Sequence, residues 1–489
     1  MALNLVRNSK VFFTTNLDTA ANGYRVKSTG FTASNTFELQ VLDGFSFSQN
    51  TNNDKVTIGE AGVAPVRGER SFNTSLAPVD FSFSSYIRPF NSGTAVTAEE
   101  SVLWNALFSD QDISTANTIS VGGTISGVTY AFASGVGTVT IAGTSLTATN
   151  VSVGDVVVLT GLTGASTSDL VFLNSAAKIT AISGTAITAD LVNPKAGAIS
   201  GITFGTVKLY KSGWAPAGGS SYSLVTSGGS NKNQLQRFGL IFLVDQVAYA
   251  VDNSALNQVV IDFGLDAIAT AAWTGQATQL RQIATGATAI GGTFGGGTLT
   301  GNFTIKNTGS QYITNKLSTI GLTLVNPLVD NLGSTIAPNG TAYTLALTGG
   351  SITISNNINF ITPANLGTVN LPITYYTGTR SITGTIDAYL KTGVGVGGTG
   401  QLLADMLAAA SVTIEPMFAL QLAIGGSGNA TKVVLDLPSV TIGVPTVNVQ
   451  QVVSTAINFT GQGYVPSATA GANVYDLTQT NDIAIRYYA

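Results

Sequence analysis

The sequence predicts a mainly β protein: two tandem β-sandwich domains, each with a flanking α-helix, and a small β domain inserted in the first copy. Three observations predict it. Apolar and hydroxyl side chains alternate with a period of two through much of the chain. Two stretches carry a helical apolar stripe. The order of these features then recurs along the 489 residues, with one interruption.

Alternation is plainest at Phe45-Ser46-Phe47-Ser48, Phe81-Ser82-Phe83-Ser84, Ile352-Thr353-Ile354-Ser355 and Val412-Thr413-Ile414. A strand turns successive side chains to opposite faces, so the pattern predicts strands with one buried and one wet face. Asn, Gly and Pro gather between them as turns. The first helix is expected over 97–110. Thr97 and Glu100 have capping-box spacing there, Glu99 suits the positive end of the dipole, and Leu103/Leu107 and Trp104/Phe108 form the stripe. The second helix is expected over 399–410, with Leu403/Leu407 and Leu402/Met406. Both are expected to pack on a sheet.

The repeat organises the chain. Val6-Arg7-Asn8 matches Ile313-Thr314-Asn315, and Ser48 matches Ser355, both 307 apart (315 − 8; 355 − 48). Tyr86-Ile87 matches Tyr389-Leu390 at 303, and Leu103 matches Leu403 at 300. Beyond the helix the spacing falls. Phe238 matches Phe418 at 180, Val259-Val260-Ile261-Asp262-Phe263 matches Val433-Val434-Leu435-Asp436-Leu437 at 174, and Trp273-Thr274-Gly275-Gln276 matches Phe459-Thr460-Gly461-Gln462 at 186. About 120 residues (300 − 180) are therefore extra in the first copy. The expected division is a discontinuous first domain at 1–112 and 226–283, an insert at 113–225, a Gly/Thr-rich linker at 284–305 and a second domain at 306–489. Within the insert, 153–159, 177–181, 185–189 and 207–210 read as short strands of a small barrel or sandwich.

Composition removes many chemistries. The chain has no Cys and no His, which excludes disulfides, thiolate or imidazole metal ligands and a Ser-His-Asp triad. Only 9% of residues are charged, against about 25% in ordinary soluble domains. Net charge is −4, and no Lys/Arg cluster is placed to grip phosphates. The first residues lack a signal peptide's apolar core, and no run of about 18 apolar residues predicts a membrane span. A mean hydropathy of +0.31 reflects missing charge.

Residues 395–400 (GVGGTG) have dinucleotide-loop spacing before a helix. The preceding segment is too polar for a central parallel strand, and no series of βα units follows, so a plain strand–helix loop is the expectation. The 291–301 glycine run lacks the Gly-Lys-Ser/Thr ending of a P-loop. Asn150-Val151-Ser152 and Asn302-Phe303-Thr304 match the glycosylation pattern but carry little meaning without a secretion signal. No catalytic residue, cofactor or metal ligand is assigned. Residues 54–73 differ: dense in charge, they lie between two alternating strands as a long hairpin or arm. Asp54, Lys55, Glu60, Arg67, Glu69 and Arg70 there are the candidates for contact with another subunit or ring.

Several segments resemble the tail tube proteins of long, non-contractile tailed bacteriophages of the T-five-like kind. They are 1–14 (MALNLVRNSKVFFT), 59–89 (GEAGVAPVRGERSFNTSLAPVDFSFSSYIRP), 102–107 (VLWNAL), 273–280 (WTGQATQL), 312–317 (YITNKL) and 347–390, especially LTGGSITISNNINFITP and TGTIDAYL. The resemblance implies a virion structural protein and no enzyme. Homotrimeric rings of six similar domains (3 × 2) would stack into a tube that conducts double-stranded DNA without binding it specifically. Tape-measure and tail-end proteins would be its further partners, and no membrane is involved. Family members can carry a C-terminal immunoglobulin-like domain; here the departure is the insert, expected on the tube exterior. Two other readings stand beside this one: a surface-layer or adhesin-type β-protein, and a carboxylate-dependent glycan-cleaving tail protein, the latter weakened by only 3 Trp for sugar stacking.

Overall fold

Period-two alternation becomes antiparallel pairing in the structure, a computed structural model. It describes residues 9–489 except 43, 59–67, 94, 110–117, 134–135, 149–150, 193, 211, 217–221, 228–234, 245–246, 286–292, 295–296, 299–311, 367–368, 392–397, 410–415, 427–430, 450–451 and 464–481. Val6-Arg7-Asn8, Asn150, Val412-Thr413-Ile414, Asn302-Phe303-Thr304, half of the 395–400 loop and most of the 284–305 segment lie outside the described residues.

The same strand order occurs twice. In the first half Ser9–Thr14 lies between Thr36–Leu39 and Phe238–Val244. Pairing continues from Phe238–Val244 to Val247–Asp262, then Thr270–Ala277, Gly68–Tyr86 and Ser46–Ile58. In the second half Thr319–Leu324 lies between Ala342–Thr344 and Met417–Ile424. The path then runs through Lys432–Ile442, Ser454–Gln462, Ser381–Tyr389 and Ala346–Ser355. Even an irregularity is shared, since the register slips directly after Phe238 and directly after Phe418. The Val259/Val433 match is corrected by this register. Val247 faces Val244 as Val433 faces Ile424, which sets the spacing at 186 (433 − 247). Apolar alternating segments resemble one another, so composition could not choose between positions a few pleats apart.

Apolar side chains of both copies share one core, which runs from Val11 and Phe13 through Trp273 and Ile354 to Phe459 and Ile485. Gly275 faces Phe81 and Gly384 faces Phe459 across the strands. A β-carbon at either glycine would lie 2.4 Å from the opposing ring, so the rings occupy the missing side chains' places.

The first helix is shorter than expected, Ser101–Phe108. Thr97 lies in the strand Val96–Ala98, and Glu100 is the N-cap residue without a side-chain cap bond. The capping-box reading fails because both acids face inward: Glu99 pairs with the buried Arg88, and Glu100 Oε1 accepts from Arg88 N at 3.3 Å. The second helix, Thr399–Ala409, agrees with the expectation.

Residues 118–210 hold a separate seven-stranded antiparallel sheet. All four strands read in the insert are present, as Val156–Thr163, Ala176–Ile182, Ala186–Leu191 and Thr203–Tyr210. A long hairpin, Gly122–Ala133 with Val136–Thr147, was not anticipated. Val139, Ile141, Leu159, Ile187 and Leu209 belong to this sheet's own core. Gly213–Ala215 and Tyr222–Thr226, expected in the insert, pair instead with the large sheet.

Candidate assembly surfaces

The two copies join edge to edge. Gln258–Asp262 of the first pairs with Ser351–Ser355 of the second. One array of eight strands results, four from each copy. Its rows can be followed across the joint. Phe83, Trp273, Val259, Ile354 and Ile382 form a continuous buried row. The next row, Ser84, Ala272, Val260, Thr353, Thr383 and Thr460, turns to the open face. Beyond it runs Tyr86, Thr270, Asp262, Ser351, Thr385 and Asn458. Hydroxyls and amides dominate this face and bond across the strands, as in Ser46–Ser82 at 2.8 Å and Thr385–Asn458 at 3.0 Å. Its charged side chains among the described residues are Asp80, Asp262 and Asp387.

Two ion pairs tie strands of the array to neighbouring strands outside it, Gln279–Thr285 and Ala484–Tyr488. Asp252 is fully buried and accepts from Val26 N at 2.9 Å and from Arg281 Nη2 at 2.8 Å, with Arg281 Nε also donating to it. In the second copy Arg486 pairs with Asp436. Each Asp lies two residues beyond the cross-strand partner of its Arg: Ala250 faces Arg281, and Val434 faces Arg486. Sequence reading missed both pairs, because the spacings differ (29 and 50 residues) and neither forms a motif.

Below the first helix, burial raises the Glu100 carboxyl to about 7, against the opposing effect of neighbouring donors. Unfolded carboxyls titrate near 4.3. The folded chain therefore holds this proton more tightly, and stability present below the unfolded value is lost as pH rises toward 7. Glu100→Gln is expected to abolish that loss, stabilising the protein at pH 8 by up to roughly 3 kcal/mol and little at pH 4. Thermal unfolding at the two pH values checks this; equal effects at both would refute it.

The charged arm is a hairpin, formed by the outer parts of Ser46–Ile58 and Gly68–Tyr86. Lys55 pairs with Glu69 at 2.5 Å within the arm, so much of its charge is already met. Arg70 covers the ring of exposed Phe72 at 4.7 Å. Asp54 lies opposite Phe72, while Glu60 and Arg67 lie outside the described residues. Thus four of the six candidates share the arm. Its counterpart in the second copy, Ile358–Ile361 with Thr374–Thr377, was not recognised from sequence. The loop within that hairpin crosses the first arm: Leu76 N donates to Asn370 O at 2.9 Å and Asn370 N to Thr74 O at 3.2 Å. Exposed Leu366, Val369 and Ile373 lie in this loop.

A cleft of about 500 Å³ separates the insert from the second copy. It is lined mainly by aliphatic groups such as Val192, Pro194 and Leu420, and its Asp436 and Arg486 satisfy each other. Among the described residues no acidic group of three or more could hold a metal, and no helix is long and apolar enough to cross a membrane.

The described residues thus form a repeated β unit with a shared polar-faced sheet and projecting arms. No family model matches the chain. It is similar to the tail tube protein pb6 of Escherichia phage T5, with 23% identity over 467 residues, 94% of this chain and 72% of that protein. At that identity the similarity points toward a tail tube protein of the T5-like kind.

Proposed function

We propose that the chain polymerises into stacked rings, each of three chains and six like domains, and that the bore conducts double-stranded DNA during ejection. One observation carries this reading: both copies contribute to a single sheet whose open face is polar and whose charged groups are acidic. Such a face, turned to the bore, repels phosphates and, among the described residues, offers no Lys or Arg to hold them. The insert would sit on the exterior. It touches the body through Tyr222, Leu224 and Tyr488, none of them on the open-face rows. The two copies act as tube domains, with residues 306–489 forming the second, and no catalytic step is assigned to either. Tape-measure and tail-end proteins remain the expected further partners.

Electron microscopy of purified tails tests the reading. Hollow stacked rings with threefold symmetry and the eight-stranded array around the bore are expected; a bore lined by the insert would overturn it. The arm is proposed to contact the adjoining ring. Arg70→Glu reverses one charge there and removes the cover from Phe72, and it is expected to lower the yield of full-length tubes several-fold. Unaltered tube length and yield would count against the arm contact.

A further inference from the structure

We infer that the insert is a self-folding barrel on a pinched neck, and that Tyr222 is the positioning residue that fixes its pose on the body of the chain. The inference goes beyond the tube reading and does not depend on it.

The strand segments of the insert close into a ring. Thr118–Ser120 pairs with Thr203–Tyr210, and Val121 alone separates it from Gly122–Ala133. Val121 N donates to Val207 O at 3.2 Å, so the two segments act as one strand. Gly122–Ala133 then pairs with Val136–Thr147. From there pairing passes through Ala186–Leu191, Ala176–Ile182 and Val156–Thr163 back to Thr203–Tyr210. A closed barrel pairs its own edges and needs no strand from a neighbour.

Its core is equally self-contained. The apolar residues of that core lie between Val121 and Leu209, and the large core has no member between Phe108 and Trp214. The span of 93 residues (210 − 118 + 1) is enough for one domain. Exit and return lie side by side on the body, since a β-carbon at Gly213 would sit 3.1 Å from that of Ser109. Adjacent ends let one domain sit within another without straining either.

Beyond the neck, a small apolar seat joins barrel to body. Val158, Val171 and Tyr210 of the barrel meet Tyr222, Leu224 and Tyr488 there. The Tyr222 hydroxyl donates to Asn174 O at 2.8 Å and is shared with Leu170 O at 3.2 Å. Asn174 is the C-cap of the short helix Thr167–Leu173, so its carbonyl has no partner within that helix. Burial raises the Tyr222 phenol, which keeps it a donor at any working pH. Beside the seat the contact opens into the aliphatic cleft, which Val171, Leu224 and Ala484 also line. Aliphatic contact is non-directional, whereas a hydrogen bond has a preferred angle, so Tyr222 sets the orientation.

The full chain tests both parts. In calorimetry Leu159→Ala is expected to lower one unfolding transition by about 10 °C and leave a second in place, because Leu159 is fully buried in the barrel core. Trp273→Ala, in the large core, is expected to do the reverse. A single transition lowered by both would overturn the self-folding barrel. For the pose, Val153→Cys places a fluorophore on an exposed turn of the barrel in a chain with no other cysteine. Adding Tyr222→Phe, which keeps the ring, is expected to shorten the label's slow rotational correlation time by about half while both transitions persist. An unchanged correlation time would overturn the role given to Tyr222. Both measurements use the unassembled chain, so either failure leaves the tube reading standing.

Discussion

Trp104→Ala is expected to destabilise the protein by about 3–5 kcal/mol, the range for truncating a large buried aromatic. The side chain is fully buried in the first helix, parallel to Phe108 at 5.9 Å and edge-on to Trp273 at 4.9 Å. Its Nε1 donates to the Tyr487 hydroxyl at 2.5 Å. Tyr487 lies on Ala484–Tyr488, which also pairs with Tyr222–Thr226 and with Lys432–Ile442, so the truncation opens a cavity where the two copies meet. Trp104→Phe keeps much of the volume but leaves Tyr487 without this donor, and should fall between the parent and alanine. Denaturant unfolding measures both. A loss below about 1 kcal/mol for alanine would mean that the surrounding rings collapse into the space, contrary to the usual cost of such cavities.

Asp252→Ala should have a comparable effect, about 3–5 kcal/mol, because removing one member of a buried ion pair strands the other. Arg281 would lose its carboxylate partner, and Val26 N would lose its acceptor. A guanidinium keeps its charge without a partner, so in the variant Arg281 must seek water. Asp436→Ala is expected to cost less, since Asp436 retains some exposure. The same unfolding measurements compare the pair; an Asp252→Ala loss no greater than that of Asp436→Ala would refute the assignment of burial as the source of the effect.

Much of this architecture was legible in local sequence. Phe81-Ser82-Phe83-Ser84 could bury its rings on one face only as a strand, and it does so. The charge-rich segment between two alternating runs could return on itself, and the arm is the result. Thr97 and Glu100 misled because capping-box spacing is a statement about sequence, whereas Arg88 arrives from a neighbouring segment and binds Glu99. The second arm was obscured because 358–377 contains no charged residue to mark it.

The division between chain and fold follows from the range of the forces. Period-two patterning, the two helices and the recurrence of the unit are local properties, determined by which side chains avoid water within a few residues. Only the tertiary structure decided that Val433 corresponds to Val247, that Asp252 meets Arg281, and that Gln258–Asp262 meets Ser351–Ser355. Those choices depend on register between segments tens of residues apart, where many apolar strands offer nearly equal local fits. Simultaneous burial of one row, from Phe83 through Trp273 and Val259 to Ile354, selects a single arrangement and joins the two copies into one wall.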